Sequence, residues 1–257
     1  MDLMLRDKVA LVAGASRGIG RAIAGALAAE GCRLALCARG REELERAAAE
    51  LGGPDRVRAV ALDLTEPDSG RRFVEAAVDA FGGVDVVVCN AGGNRRKPFE
   101  EATDEDWRDL FELNVMTGVR VARAAIPRLR ERGGGSIVFI ASLYGREIGG
   151  PGLSLYNATK SAVISLAGVM ARELAHDGIR VNSVAPGSIL FPGGSWDRRV
   201  REDPEAMADF VRRTLPLERF GTPEEVAAVV AWLASPRASL VTGACVAVDG
   251  GQGRSLI

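Results

Sequence analysis

The chain has 257 residues, 47% of them hydrophobic and 26% charged, and its 33 basic and 34 acidic side chains leave a net charge of -1. Charges this balanced and scattered give no footprint for a nucleic-acid or membrane-surface binder, and no apolar run approaches the roughly 20 residues that cross a bilayer. Four cysteines without a CxxC pair and a single histidine, His176, argue against a disulfide framework and against a metal centre; they point instead to buried thiols in a reducing, cytoplasmic compartment.

In chain order, Val9-Ala10-Leu11-Val12-Ala13 is a continuous apolar run, as expected for a strand buried on both faces. The charged segment from Met1 to Lys8 leads straight into it, without the architecture of a signal peptide. A turn, Gly14-Ala15-Ser16-Arg17-Gly18-Ile19-Gly20, then opens a helix from Arg21 to Glu30 that closes at Gly31. Strand, glycine-rich turn and helix make the first half of a βαβ unit. A second strand runs from Arg33 to Ala38, a helix from Glu42 to Leu51, and a third strand from Val57 to Leu62. Thr65 with Asp68 has the spacing of an N-cap for a helix reaching Phe81.

Val84 to Cys89 is a fourth strand, ending in Asn90-Ala91-Gly92-Gly93. Thr103 with Asp106 caps a long helix to about Arg130, in which Pro127 is expected to kink or end the regular part. The fifth strand is Ser136 to Ala141, and the following helix, which carries Tyr156, ends near Gly178. Ile179 to Val184 is a sixth strand, closed by Pro186-Gly187. An irregular stretch from Ser188 to Ser195 precedes a charged helical piece from Arg198 to Arg213. Thr222-Pro223-Glu224-Glu225 starts a helix to Ala234, and Cys245 to Val248 is the last strand, before Asp249-Gly250-Gly251. Strands alternate with helices without a linker or repeat. That pattern predicts one α/β domain over residues 1–257: a doubly wound, mostly parallel seven-stranded sheet with helices on both faces and ligands at the carboxyl ends of its strands.

Three features carry chemistry. Gly14-x-x-x-Gly18-x-Gly20 lets backbone N–H groups approach a pyrophosphate at a helix N-terminus, although its spacing differs from G-x-G-x-x-G. At the end of the second strand, where a carboxylate would accept from a ribose 2′-hydroxyl, stand Ala38-Arg39, with Arg41 beyond and Arg17 in the turn itself. Arginines there suit a 2′-phosphate, so NADP(H) is favoured over NAD(H). Third, Tyr156 and Lys160 lie four residues apart on one helix face, where an ammonium lowers a phenol's pKa and makes it a usable proton donor and acceptor.

Taken together, Gly14-x-x-x-Gly18-x-Gly20, Asp63, Asn90-Ala91-Gly92, Asn114, Ser142, Tyr156-x-x-x-Lys160 and Pro186-Gly187 occur in the order seen in short-chain dehydrogenases/reductases. The resemblance spans Lys8 to Gly251. It implies that Tyr156 exchanges a proton with a carbonyl oxygen as hydride moves at carbon, that Lys160 contacts the nicotinamide ribose and tunes the tyrosine, that Ser142 polarises the substrate oxygen, and that Asn114 holds a water relaying to Lys160. It further implies that Gly14, Ser16, Arg17, Gly18, Ile19, Gly20 and Arg39 hold the cofactor's phosphates and ribose. Asp63 and Leu64 would meet the adenine, Asn90, Ala91 and Gly92 would line the cofactor, with Asn90 mainly tying neighbouring strands, and Pro186, Gly187 and Ile189 would reach the nicotinamide amide.

This sequence departs from the family pattern twice. Ala13 replaces the threonine usual before the glycine turn, and Phe191 stands where a cofactor-facing threonine is usual, with Ser195 the candidate substitute. The segment from about 190 to 221 is the expected substrate lid. Its apolar Trp196, Met207, Phe210, Leu215, Leu217 and Phe220 suit an alkyl or acyl ketone, as in a 3-oxoacyl thioester reductase, while its arginines (198, 199, 201, 212 and 213), like Arg95-Arg96-Lys97, are expected to face water rather than an acidic carrier. An NAD-dependent alcohol, sugar or steroid dehydrogenase is the alternative, and a catalytically silent nucleotide sensor is the reading from another class. The resemblance implies a homotetramer or dimer. Small residues Ala158, Ala162, Ser165 and Gly168 on the tyrosine helix permit close packing against either the sheet or a second subunit.

Overall fold

The central strands are too apolar to face water. β1 (Val9–Ala13), β2 (Arg33–Ala38), β3 (Val57–Ala61), β4 (Val86–Cys89), β5 (Gly135–Ile140), β6 (Ile179–Pro186) and β7 (Cys245–Val248) form one seven-stranded sheet, ordered β3-β2-β1-β4-β5-β6-β7. The computed structural model describes residues 1–255. Every pairing is parallel, so the sheet is more uniform than the mostly parallel one expected. From β1 the chain steps outward to β2 and β3, then returns to place β4 on the other side of β1. That reversal opens a crevice at the carboxyl ends of β1 and β4, where the glycine turn and Asn90 follow.

Parallel strands need crossovers, and the helices α1 (Gly18–Ala29), α2 (Arg41–Glu50) and α9 (Pro223–Ala234) cover one face. There Ile23, Leu27, Leu44, Val226 and Val230 bury against Val12, Leu34 and Val88. On the other face α3 (Ser69–Phe81), α5 (Thr117–Glu131) and α6 (Ser154–Leu174) bring Phe73, Val121, Leu129, Val163 and Ala167 onto Leu11, Val87 and Ile137. Cys32, Cys37 and Cys89 are buried, and burial pushes each thiol up to about 12, where it carries no thiolate at neutral pH. His176 lies exposed in the short turn after α6.

Three elements depart from the sequence expectation. α3 starts at Ser69 rather than just after Thr65, whose hydroxyl donates to Asp63 Oδ1 at 2.7 Å; its N-cap, Asp68, makes no side-chain cap. The long helix from 103 is α4 (Asp104–Phe111), a wide π turn (Glu112–Met116), then α5, which continues past Pro127 to Glu131. The Thr103–Asp106 capping box does start it. The charged helix from Arg198 to Arg213 is two helices, α7 (Ser195–Glu202) and α8 (Pro204–Thr214), because Asp203 accepts from the Ala206 N–H at 2.9 Å and Pro204 opens a fresh first turn.

Candidate active site

The glycine turn closes on itself. Gly14 has φ +72°, and a Cβ on Gly20 would lie 2.1 Å from the Gly14 carbonyl oxygen. The Asn90 side-chain amide donates to that same oxygen at 2.9 Å, so Asn90 ties the end of β4 to the turn after β1. Gly18 (φ +55°) is bare because the Phe191 ring lies over it: an added Cβ would sit 2.6 Å from the ring. Above the turn opens a cleft of about 460 Å³ lined by Gly14, Ser16, Arg17, Ile19, Arg39, Asp63, Leu64, Asn90, Ala91 and Gly92, with Phe191, Glu43 and Thr117. Backbone without side chains at a helix N-terminus and two guanidiniums fit a dinucleotide's phosphates, and Asp63 can accept from its adenine amine. Arg17 reaches the Gly193 carbonyl at 3.5 Å, and the Arg39 charge helps hold the Asp63 carboxyl low, after the backbone hydrogen bond from Thr65. Arg41 instead pairs with Glu45 at 3.3 Å.

Beyond Gly92 the structure brings the four candidate catalytic residues together. Lys160 is buried, and its Nζ donates to the Ile140 carbonyl at 2.9 Å. A Cβ on Gly92 would meet Asn114 Oδ1 at 3.0 Å and Lys160 Nζ at 3.4 Å, so both side chains crowd one bare stretch of backbone. Asn114 sits inside the π turn, where the extra residue re-aims its side chain: Oδ1 accepts from the Gly93 N–H at 2.7 Å, and Nδ2 donates to the Gly93 carbonyl and the Thr159 hydroxyl, each at 3.0 Å. Ser142, just past β5, lies beside the Tyr156 phenol and lines the same cleft. Lys160 Nζ lies 5.9 Å from the Tyr156 ring centre, over the ring. Desolvation by burial raises the Tyr156 pKa above 10.0, partly offset by Ser142, and lowers that of Lys160 from 10.5 to about 8.

Tyr156 and Ser142 face a second cleft of about 280 Å³, whose walls include Pro186, Gly187, Ser188, Trp196 and Gln252. Ser195 lines this second cleft rather than the one above the glycine turn. Ile189 is buried beneath the lid, bridged to Gly221, and lines a separate pocket of about 110 Å³. The lid's apolar side chains mostly serve the lid itself: Trp196 stacks on Phe210 at 4.8 Å and meets Phe220 at 5.3 Å, while Met207 and Leu215 are buried. Of these, only Trp196 lines the cleft with Ser142 and Tyr156. On α6, the sheet side belongs to Val163, Ala167 and Ala171, and Ala158 and Ser165 are exposed.

Residues 14–252 match a family model described as enoyl-(acyl carrier protein) reductase. The 3-oxoacyl-[acyl-carrier-protein] reductase FabG of Vibrio cholerae is 37% identical over 248 residues, covering 96% of this chain and 98% of that protein. Human dehydrogenase/reductase SDR family member 4 is 36% identical, over 96% of this chain and 88% of its own. Among solved structures, L-sorbose reductase from Gluconobacter frateurii, complexed with NADPH and L-sorbose, superposes with a TM-score of 0.94 at 36% identity over all of both chains. The chain belongs to the short-chain dehydrogenase/reductase family.

As a member of that family it is an oxidoreductase. Sequence reasoning did not single out several residues that its two clefts contain. Tyr144, two residues past Ser142, sits on the 3-10 turn that Ser142 caps at 3.2 Å, a local signal that could have been read. Gln252 had none: it reaches the substrate cleft because the chain after β7 folds back, its Oε1 accepting from the Ser188 N–H at 3.0 Å. Arg96 was grouped with its neighbours, yet Arg95 and Lys97 bind Asp106, each at 2.6 Å, while Arg96 lines the substrate cleft.

Proposed function

We propose that this chain is an NADP(H)-dependent reductase that interconverts a ketone and a secondary alcohol, with Tyr156 as proton donor. The observation that carries it is the pair of hydroxyls, Ser142 and Tyr156, lining one cleft beside a second cleft fit for a dinucleotide. Two hydroxyls converging on one point suit a developing oxyanion, which a carbonyl provides and an isolated carbon–carbon double bond does not. The cofactor supplies hydride. Gly14, Ser16, Arg17, Ile19, Asp63, Leu64, Ala91 and Gly92 hold it, and Gly18, Gly20 and Asn90 shape the turn beneath. Lys160 keeps a positive charge behind the tyrosine, Asn114 fixes the wall between them, and Pro186 and Gly187 border the reacting end. Arg39 and Arg17 at the ribose end support NADP(H) over NAD(H), as does the relative complexed with NADPH.

Residues 190–221 act as the substrate lid of a single domain, and a cytoplasmic homotetramer or dimer is part of the same proposal. Reduction of a 3-oxoacyl thioester is supported by the FabG relative, and reduction of a sugar by the L-sorbose reductase. The test is NADPH oxidation with a panel of ketones by wild type and Tyr156→Phe. Turnover falls at least about 100-fold in the variant if the phenol is the acid. Equal turnover refutes the mechanism, and no turnover with any ketone in the wild type favours a nucleotide sensor.

A further inference from the structure

Three guanidiniums meet at the cleft that holds Ser142 and Tyr156. Arg96 arrives from the loop after β4, and Arg198 and Arg199 come from α7 in the lid. The rest of the polar lining is hydroxyl or amide, and among the described residues no aspartate or glutamate lines it. The cofactor cleft differs, setting Glu43 and Asp63 beside Arg17 and Arg39.

The neighbouring cations are neutralised at home. Arg95 and Lys97 bind Asp106, Arg201 binds Asp197 at 3.0 Å, and Arg212 and Arg213 share Asp209 at 3.2 and 3.0 Å. Among the described residues Arg96 and Arg199 have no carboxylate partner, and Arg198 lies 3.9 Å from Glu202, the outer limit of an ion pair. Two of the three are also held in place. Arg96 Nε donates to the Pro151 carbonyl at 3.2 Å, and the side chain lies along Gly152 (φ +80°), where an added Cβ would sit 3.0 Å from Arg96 Cγ. Arg199 stacks over the Trp196 ring at 4.6 Å. Cations gathered around one cleft repel one another, and a neutral ketone gives them no compensation. A carboxylate or phosphate gives each a charge-assisted, often bidentate, hydrogen bond.

We propose that the substrate is a small carbonyl compound bearing an anionic group, carboxylate or phosphate, that Arg96 and Arg199 anchor, with Arg198 at the rim. This rests on the carbonyl-reductase reading above. In the reaction the carbonyl carbon gains hydride from NADPH, which leaves as NADP⁺, and the oxygen gains the Tyr156 proton. The anionic group is unchanged and only positions the carbonyl. The lining also speaks against a long acyl chain, because the lid's apolar side chains pack on one another.

The experiment measures NADPH-dependent kcat/KM for matched pairs: 3-oxo acids against their methyl esters, dihydroxyacetone phosphate against dihydroxyacetone, and a 3-oxoacyl pantetheine thioester. Wild type should prefer at least one anion over its neutral partner by about tenfold or more, which identifies carboxylate or phosphate. Arg96→Gln and Arg199→Gln should each raise KM for that anion about tenfold with kcat little changed, and the double variant should lose the preference. Arg212→Gln, outside the cleft, should keep it. Preference for neutral ketones or the thioester, or a preference surviving in the double variant, overturns the proposal alone. Failure to reduce any member with NADPH or NADH overturns the carbonyl-reductase reading, and this proposal with it.

Discussion

Lys160→Met tests whether the lysine is kept for chemistry against the interest of stability. The side chain is fully enclosed, and desolvation brings the ammonium from 10.5 to about 8. At roughly 1.4 kcal/mol per tenfold change in proton affinity, keeping it charged costs the cofactor-free protein about 3 kcal/mol near neutral pH. Methionine fills nearly the same unbranched volume without charge, but it orphans the Ile140 carbonyl, worth about 1–3 kcal/mol. Near pH 7.5 the variant should therefore be as stable as wild type, or more stable by up to about 2 kcal/mol. Below about pH 8 the lysine is charged folded and unfolded, and the whole cost is present; between about 8 and 10.5 only the unfolded chain binds the proton, so wild type recovers stability as pH rises. The difference should move about 2 kcal/mol in favour of wild type between about pH 7.5 and about pH 9.5. The buried thiols and Tyr156 also titrate in alkali, but they are common to both proteins and cancel. Urea unfolding of both proteins across that range, read by tryptophan fluorescence, measures it. A difference that stays flat with pH, with the variant less stable throughout, refutes the argument.

Gly20→Ala forces a Cβ to within 2.1 Å of the Gly14 carbonyl oxygen, which only a shift of the turn relieves. It should cost about 1–3 kcal/mol and weaken NADPH binding, read by thermal melting and fluorescence titration; unchanged values would mean that the turn yields freely. Arg39→Gln should weaken NADPH about tenfold while leaving NADH alone, and equal losses for both would remove the 2′-phosphate from the account. With Lys160 at about 8, NADPH-dependent kcat/KM should fall as pH rises above that value, because the positive charge behind Tyr156 is lost; a rate still level at about pH 9.5 would separate that charge from catalysis.

The sheet was legible because parallel strands covered on both faces read as unbroken apolar runs, and runs such as Val9–Ala13 and Val86–Cys89 are fully buried. The cluster around Tyr156 was legible because chemistry restricts residue type at fixed spacing. The π turn was not: Glu112 to Met116 continues a helical pattern on both sides, and the added residue leaves no mark on periodicity. Nor was the use of the lid's aromatic side chains, since Trp196, Phe210 and Phe220 read equally well as a substrate wall or as a core of their own. Arg96 differs from Arg95 through Asp106 and Asp109, which bind Arg95 and which a single sequence does not connect to one and not the other.

Burial moves Tyr156 and Lys160 in opposite directions, and both shifts favour the neutral form. A phenol kept protonated is ready to donate, which suits reduction of a carbonyl, and Tyr156 and Ser142 line the same cleft. The lysine sits where it is hardest to keep charged, with one backbone carbonyl as its protein partner. An anion brought near Nζ would hold that charge to higher pH. In the protein alone, burial is the largest cause of both shifts in the pair. Its tuning depends on what fills the two clefts on either side.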